Sequence, residues 1–232
     1  MKFLTWNIGS YLFQKYLRSL YQKDAERYEY FRPELNATFV SETISAIAPT
    51  VAFLQEFYLE DDRQSIPSLA QFTYHYPLNM WYRANGAFLA SNTQFEVTSF
   101  PQGGIFRTES LTIVAVHLNS YSAKQRQTEI TEILEHTRTD KNIILLGDTN
   151  MWIRKTLNLF PHDRYTHALL KKRLVDHSMK SGPTTPLGFS LDRVFTTPTV
   201  AVTNLTTHPE TGTYMDHYPV HFEIKKPQSN AF

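Results

Sequence analysis

Short apolar runs that stop abruptly at a polar side chain recur through this chain and limit the folds open to it. The plainest is Ile143-Ile144-Leu145-Leu146-Gly147-Asp148-Thr149-Asn150. Four aliphatic residues in a row read as a strand covered on both faces. Asp and Asn are poor strand residues. At a strand's end, alternation puts Asp148 and Asn150 on the same side, so a carboxylate and a carboxamide point together beyond the sheet. A strand followed by an Asx turn accounts for the same residues. On this stretch alone both readings stand.

Similar runs are KFLTWNI, TVAFLQEF, AFLAS, LTIVAVHL, LDRVFT, AVTNLTT and VHFEI. Their spacing suits mixed sheets better than a purely parallel one. Several end as the first does. LTWN ends in Asn7, VAFLQE in Glu56, and IVAVHLNS in His117 followed by Asn119 and Ser120. Asp192 lies inside an apolar run, and Asp216-His217 directly precede a strand. One such ending is a turn; six of them form an inventory suited to one site.

Two helices are marked between the runs. Phe39, Val40, Ile44 and Ile47 recur at helical spacing, and Pro49 ends that segment. Ser122 with Gln125 three residues on is a capping-box pattern. Ile130, Ile133 and Leu134 then form an apolar stripe, with Lys124, Arg126, Glu129, Glu132 and Glu135 expected on the solvated face. Between Tyr11 and Arg32, Leu12, Tyr16 and Leu20 suggest a further helix. Its tyrosines alternate with basic residues, as in a half-buried helix or a stacking groove for a single strand.

The 232 residues allow a substantial core, and 41% hydrophobic with 19% charged residues is an ordinary soluble composition. One domain is expected over residues 1–226, with a tail at 227–232. A net charge of +1 argues against indiscriminate binding to polyanions. The absence of cysteine removes disulfides, thiolate chemistry and cysteine metal sites. No apolar stretch approaches the ~20 residues of a membrane span. The short N-terminal apolar run does not suit a signal peptide, so a cytoplasmic protein is expected and the sequons at Asn36 and Asn204 read as chance. No protein partner is identifiable.

The polar inventory suggests a chemistry. Oxygen ligands with few imidazoles favour Mg²⁺ or Mn²⁺ over zinc. His, Asn and a cation can neutralise charge building on a phosphoryl group, while a carboxylate orients the attacking water. No Walker-type loop and no His-Glu-x-x-His pair is present.

In this order, TWNIG, FLQEF, VHLNS, LLGDTN, SLDRVF and MDHYPV resemble the endonuclease/exonuclease/phosphatase superfamily of metal-dependent phosphoesterases. The resemblance runs from Asn7 to Val220. It implies an α/β four-layer sandwich, two mixed sheets packed face to face with helices outside and the site at one end. It further implies Glu56 as the principal Mg²⁺ ligand, with Mn²⁺ a possible substitute. Asn7 would help hold metal and phosphate, with Asp216 beside the metal or a second metal position. Asp148 would activate the water, Asn150 and His117 would contact the phosphate, and His217, polarised by Asp192, would contact the scissile phosphate. Either Asp148 or His217 could be the formal base.

VHLNS departs from the Tyr-x-Pro-Asn-Gly type of abasic-site endonucleases and is closer to the histidine-bearing branches. The expected activity is hydrolysis of a nucleic-acid or nucleotide-derived phosphodiester. Hydrolysis of inositol phosphate or sphingolipid headgroups is the alternative, and a silent phosphate-binding module a third. The segment Arg154–Arg173 carries Arg154, Lys155, Arg164, Lys171, Lys172 and Arg173 beside Trp152, Phe160 and Tyr165. It reads either as a polyanion track at the rim or as a solvated helix with Leu169, Leu170 and Leu174 turned inward. Asp176 reads as a strand or turn carboxylate, and Ser120 as a possible phosphate donor.

Overall fold

In a computed structural model, which describes residues 1–9, 33–57, 66–78, 86–152, 161–213 and 216–225, the apolar runs become strands of two six-stranded sheets. The segment Tyr11–Arg32, Arg154, Lys155, Phe160 and the 227–232 tail lie outside the described residues.

The first sheet contains β1 (Lys2–Asn7), β2 (Val51–Phe57), β3 (Tyr74–Leu78), β4 (Gly86–Ser91), β11 (Val202–Thr207) and β12 (Val220–Ile224), in the order β11-β12-β1-β2-β4-β3. The second contains β5 (Glu96–Phe100), β6 (Gly103–Arg107), β7 (Thr112–His117), β8 (Ile143–Asp148), β9 (Val175–Asp176) and β10 (Asp192–Thr196), in the order β5-β6-β7-β8-β10-β9. The α-helices of the described residues are α1 (Pro33–Ile47), α2 (Ala123–His136) and α3 (Pro161–Lys171). Among the described residues, only β1/β2 and β7/β8 pair in parallel. In each case a helix, α1 or α2, lies between them in the chain, as a parallel crossover requires.

Alternation then builds the layers. Phe3 and Phe53 from one sheet meet Ile113, Ala115, Ile144, Leu146 and Val194 from the other in a fully buried interior. Each of these Phe, Ile, Leu and Val side chains contributes about 1.5–3 kcal/mol of apolar burial. The alternate residues face outward. Leu4, Trp6, Ala52 and Leu54 pack under Val40 and Ile44 of α1. Val114, Val116 and Leu145 pack under Ile130 and Ile133 of α2 and Leu170 of α3. The result is an α/β/β/α sandwich. Among the described residues no helix is long and apolar enough to cross a membrane.

The expected α2 stripe is correct, and Ser122 accepts from the Gln125 N–H as a cap should. Of the expected solvated face, Lys124, Glu132 and Glu135 are exposed, but Arg126 and Glu129 are not. Arg126 and Glu129 are only 2% and 3% exposed, because α3 covers that side of α2. Arg126 meets Asp163 of α3 there, and Glu129 accepts from the Asn119 N–H.

Candidate active site

Four strand ends deliver polar side chains into the crevice between the sheets by simple alternation. Along β1, Phe3, Thr5 and Asn7 face inward; along β7, Ile113, Ala115 and His117; along β8, Ile144, Leu146 and Asp148; along β10, Val194 and Asp192. Register aligns them. His117 is paired with Asp148 across β7/β8, and Asp148 with Asp192 across β8/β10, so the three share one row.

Glu56 arrives differently. Strict alternation would turn it to the α1 face, beside Ala52 and Leu54. The β2/β4 register slips between Gln55 and Phe57, and Glu56 sits at φ 53°. This bulge sends Phe57 outward into the α1 layer and turns Glu56 inward. Bulges commonly re-aim a side chain beside a site.

Asn7 ties the two sheets together. Its Nδ2 donates to Glu56 Oε1 and to Asp148 Oδ2, both at 3.1 Å, while its Oδ1 accepts from the Gly9 N–H. The His117 Nε2 lies 3.7 Å from Asp148 Oδ2 and 4.0 Å from Glu56 Oε1. On the other side of Asp148, His217 Nε2 lies 3.9 Å from the same Oδ2, and His217 Nδ1 is 2.7 Å from Asp192 Oδ2. Asp216 completes the group: a Cβ added to Gly9 would lie 3.5 Å from its Oδ1.

Asp148 and Asn150 combine the two sequence readings. Asp148 Oδ1 accepts from the Asn150 N–H at 2.8 Å, an Asx turn. Asn150 sits at φ 48°, so strand alternation does not carry it to the Asp148 side as expected. Its Nδ2 instead donates to the Leu118 carbonyl at 2.9 Å. The turn and the site are the same structure.

Charge is unbalanced here. Burial alone would lower the proton affinity of His217. The negative charges of Asp192 and Asp148 and the hydrogen bond to Asp192 outweigh it, and hold the imidazolium well above the usual histidine range. Asp216 presents surface to solvent, yet partial loss of hydration pushes its carboxyl up. His217 opposes that push, and the charges of Glu56 and Asp148 add to it.

The donor set suits a hard cation held at an open site. Glu56, Asp148 and Asp216 are oxygen donors whose charges repel, and a cation relieves such repulsion. Among the described residues no three His, Asp or Glu groups close a cage around an ion. Mg²⁺ takes only one or two carboxylates and keeps its waters, so it needs no cage.

Other singled-out residues have structural partners. Asp192 pairs with His217, not with its neighbour Arg193, which pairs with Asp176 at 2.8 Å. Asp176 also accepts from His167 and from the Ser178 N–H. Asn119 Oδ1 accepts from the Tyr121 and Ser122 N–H groups, and Ser120 is exposed beside it. In the basic segment, Leu170 and Leu174 are buried, and Arg164, Lys171 and Lys172 are exposed. Arg173 is committed to the Thr137 and Asp140 carbonyls, which removes it from any polyanion track.

Two residues that sequence reasoning passed over shape the site. Buried Thr184 accepts from the Leu191 and Asp192 N–H groups, and its carbonyl accepts from the Tyr218 N–H, joining the loops that carry Asp192 and His217. Trp6 donates from Nε1 to the His217 carbonyl at 3.1 Å. Thr184 gives no sequence signal. Trp6 adjoins Asn7 but reads as an outward core residue, which it also is.

Two facing mixed sheets with acids, an amide and imidazoles gathered at one end define a class by fold, the α/β sandwiches with a polar cluster at the strand ends. The chain belongs to the Endonuclease/Exonuclease/phosphatase family, whose sequence profile matches residues 4–219. Comparison with curated proteins yields no match. Among solved structures, the 3'-5' exonuclease NExo from Neisseria meningitidis is 15% identical, with 97% of this chain and 100% of that chain covered and a TM-score of 0.67. A 3' phosphatase NExo from Neisseria bound to product DNA hairpin is 15% identical, with 97% and 99% covered and a TM-score of 0.67. TDP2 from Caenorhabditis elegans is 13% identical, with 97% and 74% covered and a TM-score of 0.63. At these identities the likeness is one of fold.

Proposed function

We propose that this protein is a divalent-metal-dependent phosphodiesterase that hydrolyses a nucleic-acid or nucleotide-derived diester by in-line attack of water. The observation that carries this reading is the single row His117–Asp148–Asp192, with His217 bonded to Asp192 and Glu56 opposite. A binding module would need groups that hold the phosphate, but not both a metal ligand and a water-orienting acid. Glu56, flanked by Asp216, is suited to hold Mg²⁺ or Mn²⁺, which when bound would neutralise charge on the phosphoryl oxygens.

The chain's own groups take the remaining roles. Asp148 keeps lone pairs after accepting from Asn7 and Asn150, and accepts a hydrogen bond from the attacking water. The imidazolium of His217, its Nδ1–H directed to Asp192, presents Nε2–H to the scissile phosphate. His117 presents Nε2 from the opposite side of Asp148. Asn150 keeps one amide hydrogen for a phosphate oxygen after its bond to Leu118. Asn7, with both amide hydrogens engaged, sets the spacing of Glu56 and Asp148, and it can meet a cation only through Oδ1.

A nucleic-acid substrate is favoured by the DNA named with the Neisseria phosphatase and by exposed Arg164 and Lys171 on α3 and Lys172 just after it. The test is hydrolysis of a chromogenic diester, single-stranded DNA, duplex DNA, RNA and lipid or inositol phosphoesters, each with Mg²⁺ and with excess chelator. Turnover that needs the cation and is fastest on polynucleotide is expected. Full activity in chelator would sink the metal assignment, and preference for a lipid or inositol ester would move the substrate class. No turnover on any substrate would leave a binding module.

A further inference from the structure

A fully buried ion pair lies behind the mouth of the site, outside the residues given roles above. Arg126 of α2 forks onto Asp163 of α3, Nε to Oδ1 at 2.9 Å and Nη2 to Oδ2 at 2.8 Å. Their exposures are 2% and 0%. Were this pair a simple brace between two helices, its bonds would end there. They do not. Arg126 Nη1 donates to the Asn119 carbonyl at 2.8 Å, and Asp163 Oδ2 accepts from the Trp152 N–H at 3.2 Å.

Asn119 and Trp152 each lie two residues beyond a site residue, His117 and Asn150 respectively. The two loops are also joined directly, because Asn150 Nδ2 donates to the Leu118 carbonyl. The path Asp163–Arg126–Asn119–Leu118–Asn150–Asp148 is thus linked by hydrogen bonds and single peptide units from the outer helices to the candidate water-orienting acid. Glu129 adds a second hold on the first loop by accepting from the Asn119 N–H at 3.0 Å.

Energetics argue for a purpose beyond stability. A buried ion pair commonly adds little over apolar side chains of similar volume, because both charges lose their hydration. A bidentate fork does fix geometry. We propose that Arg126, held by Asp163, is a positioning residue that clamps the β7–α2 loop against the segment after β8, so that His117, Asp148 and Asn150 keep one arrangement for the reaction proposed above.

The test separates positioning from folding. Replacing the pair as Arg126→Met with Asp163→Leu removes both charges together and keeps an apolar filling, so the melting temperature should stay near that of the parent. The bonds to Asn119 and Trp152 are only partly buried, so water can replace them. Two changes are expected in this double variant. Amide exchange at Trp152 should quicken at least roughly tenfold, as local opening there becomes easier. The kcat for a chromogenic diester should fall by roughly 10- to 100-fold with KM little changed, as for misplaced catalytic groups. Arg126→Lys gives the same comparison without losing the charge, since an ammonium cannot reach Asp163 and Asn119 in fork geometry. It carries the test if the double variant does not fold. Unaltered Trp152 exchange in a folded variant would overturn the clamp. A parent protein inactive on every diester would instead refute the proposed reaction, while the exchange measurement would still decide the clamp.

Discussion

Gly147, between the aliphatic run and Asp148, should tolerate no side chain. It sits at φ 127°, and a Cβ there would lie 2.0 Å from the Val116 carbonyl oxygen and 3.0 Å from Phe53 Cε1. Neither neighbour has room to move. Val116 is Gly147's register partner in β7, and Phe53 is fully buried in the interior between the sheets. For Gly147→Ala, an L-residue held in that region costs about 1–3 kcal/mol, and overpacking a filled interior costs about 1–3 more. The total is roughly 2–6 kcal/mol, since the two add if β8 cannot shift. For a chain of this length each kcal/mol lowers Tm by about 2–4 °C, so a fall on the order of 4–24 °C is expected in a calorimetric or circular-dichroism melt. Gly182→Ala is the control. Gly182 has φ 93°, but its added Cβ would meet only Thr207 Oγ1 at 3.9 Å. It should show the backbone cost alone. Because the next register pair is His117–Asp148, Gly147→Ala should also slow turnover measured well below its own Tm. A Gly147→Ala protein that melts no lower than Gly182→Ala, with normal turnover, would refute the close approach of β7 and β8.

Asp148→Asn should abolish most turnover while Tm holds or rises, since it removes one charge from a group that includes Glu56, Asp216 and Asp192; equal loss of stability and rate would make Asp148 a turn residue only. His217→Ala and Asp192→Ala should be strongly non-additive, because a bonded pair acts as a unit; a double variant slowed by the full product of the single effects would count against the pairing. The folded-state pKa of His217 lies above its unfolded value, so its stabilising contribution is complete below about pH 6.5 and is lost only as pH rises through the raised value. Ring-proton titration by NMR, alongside stability against pH, should show His217 still charged where a free histidine is neutral, and titration at the ordinary histidine value would overturn the assignment.

Alternation was legible in the sequence because burial on two faces leaves a plain record. Phe3, Thr5 and Asn7 facing one way, with Leu4 and Trp6 the other, needs only a period of two. The strands left unread lack that record. β5 is an edge strand, EVTSF, with most of its residues exposed. β3 contains Pro77, which an edge strand tolerates but which reads as a break. β6 opens with Gly103-Gly104, which look like a turn. A Cβ at Gly103 would lie 1.9 Å from the Ala115 carbonyl oxygen, so glycine is there because β7 comes close. By residue type Arg126 and Glu129 read as solvent-facing, and nothing local reveals that a second helix covers them.

Glu56 shows why a site can be read in outline before its geometry can. Its residue type and position at a strand end mark it, yet the same period of two that places Asn7 and Asp148 places Glu56 on the wrong face. Only a bulge reverses it. That bulge holds a non-glycine residue at φ 53°, a conformation costing on the order of 1–3 kcal/mol. The surrounding bonds make it hold: Ile8 N–H donates to the Gln55 carbonyl at 3.0 Å, and Asn7 Nδ2 grips the Glu56 carboxylate from the neighbouring strand. Positive φ alone is not diagnostic, since Ala48 shares it where α1 ends and Asn204 shares it at a bulge in the edge strand β11. What sets Glu56 and Asn150 apart is where the strain is directed. One bulge turns a carboxylate toward Asn7, and one Asx turn locks Asp148, so both irregularities fix groups around the Asp148 carboxylate. Regular strands bring that carboxylate to the crevice, and the two strained residues, supported from Asn7 and Leu118, set what surrounds it.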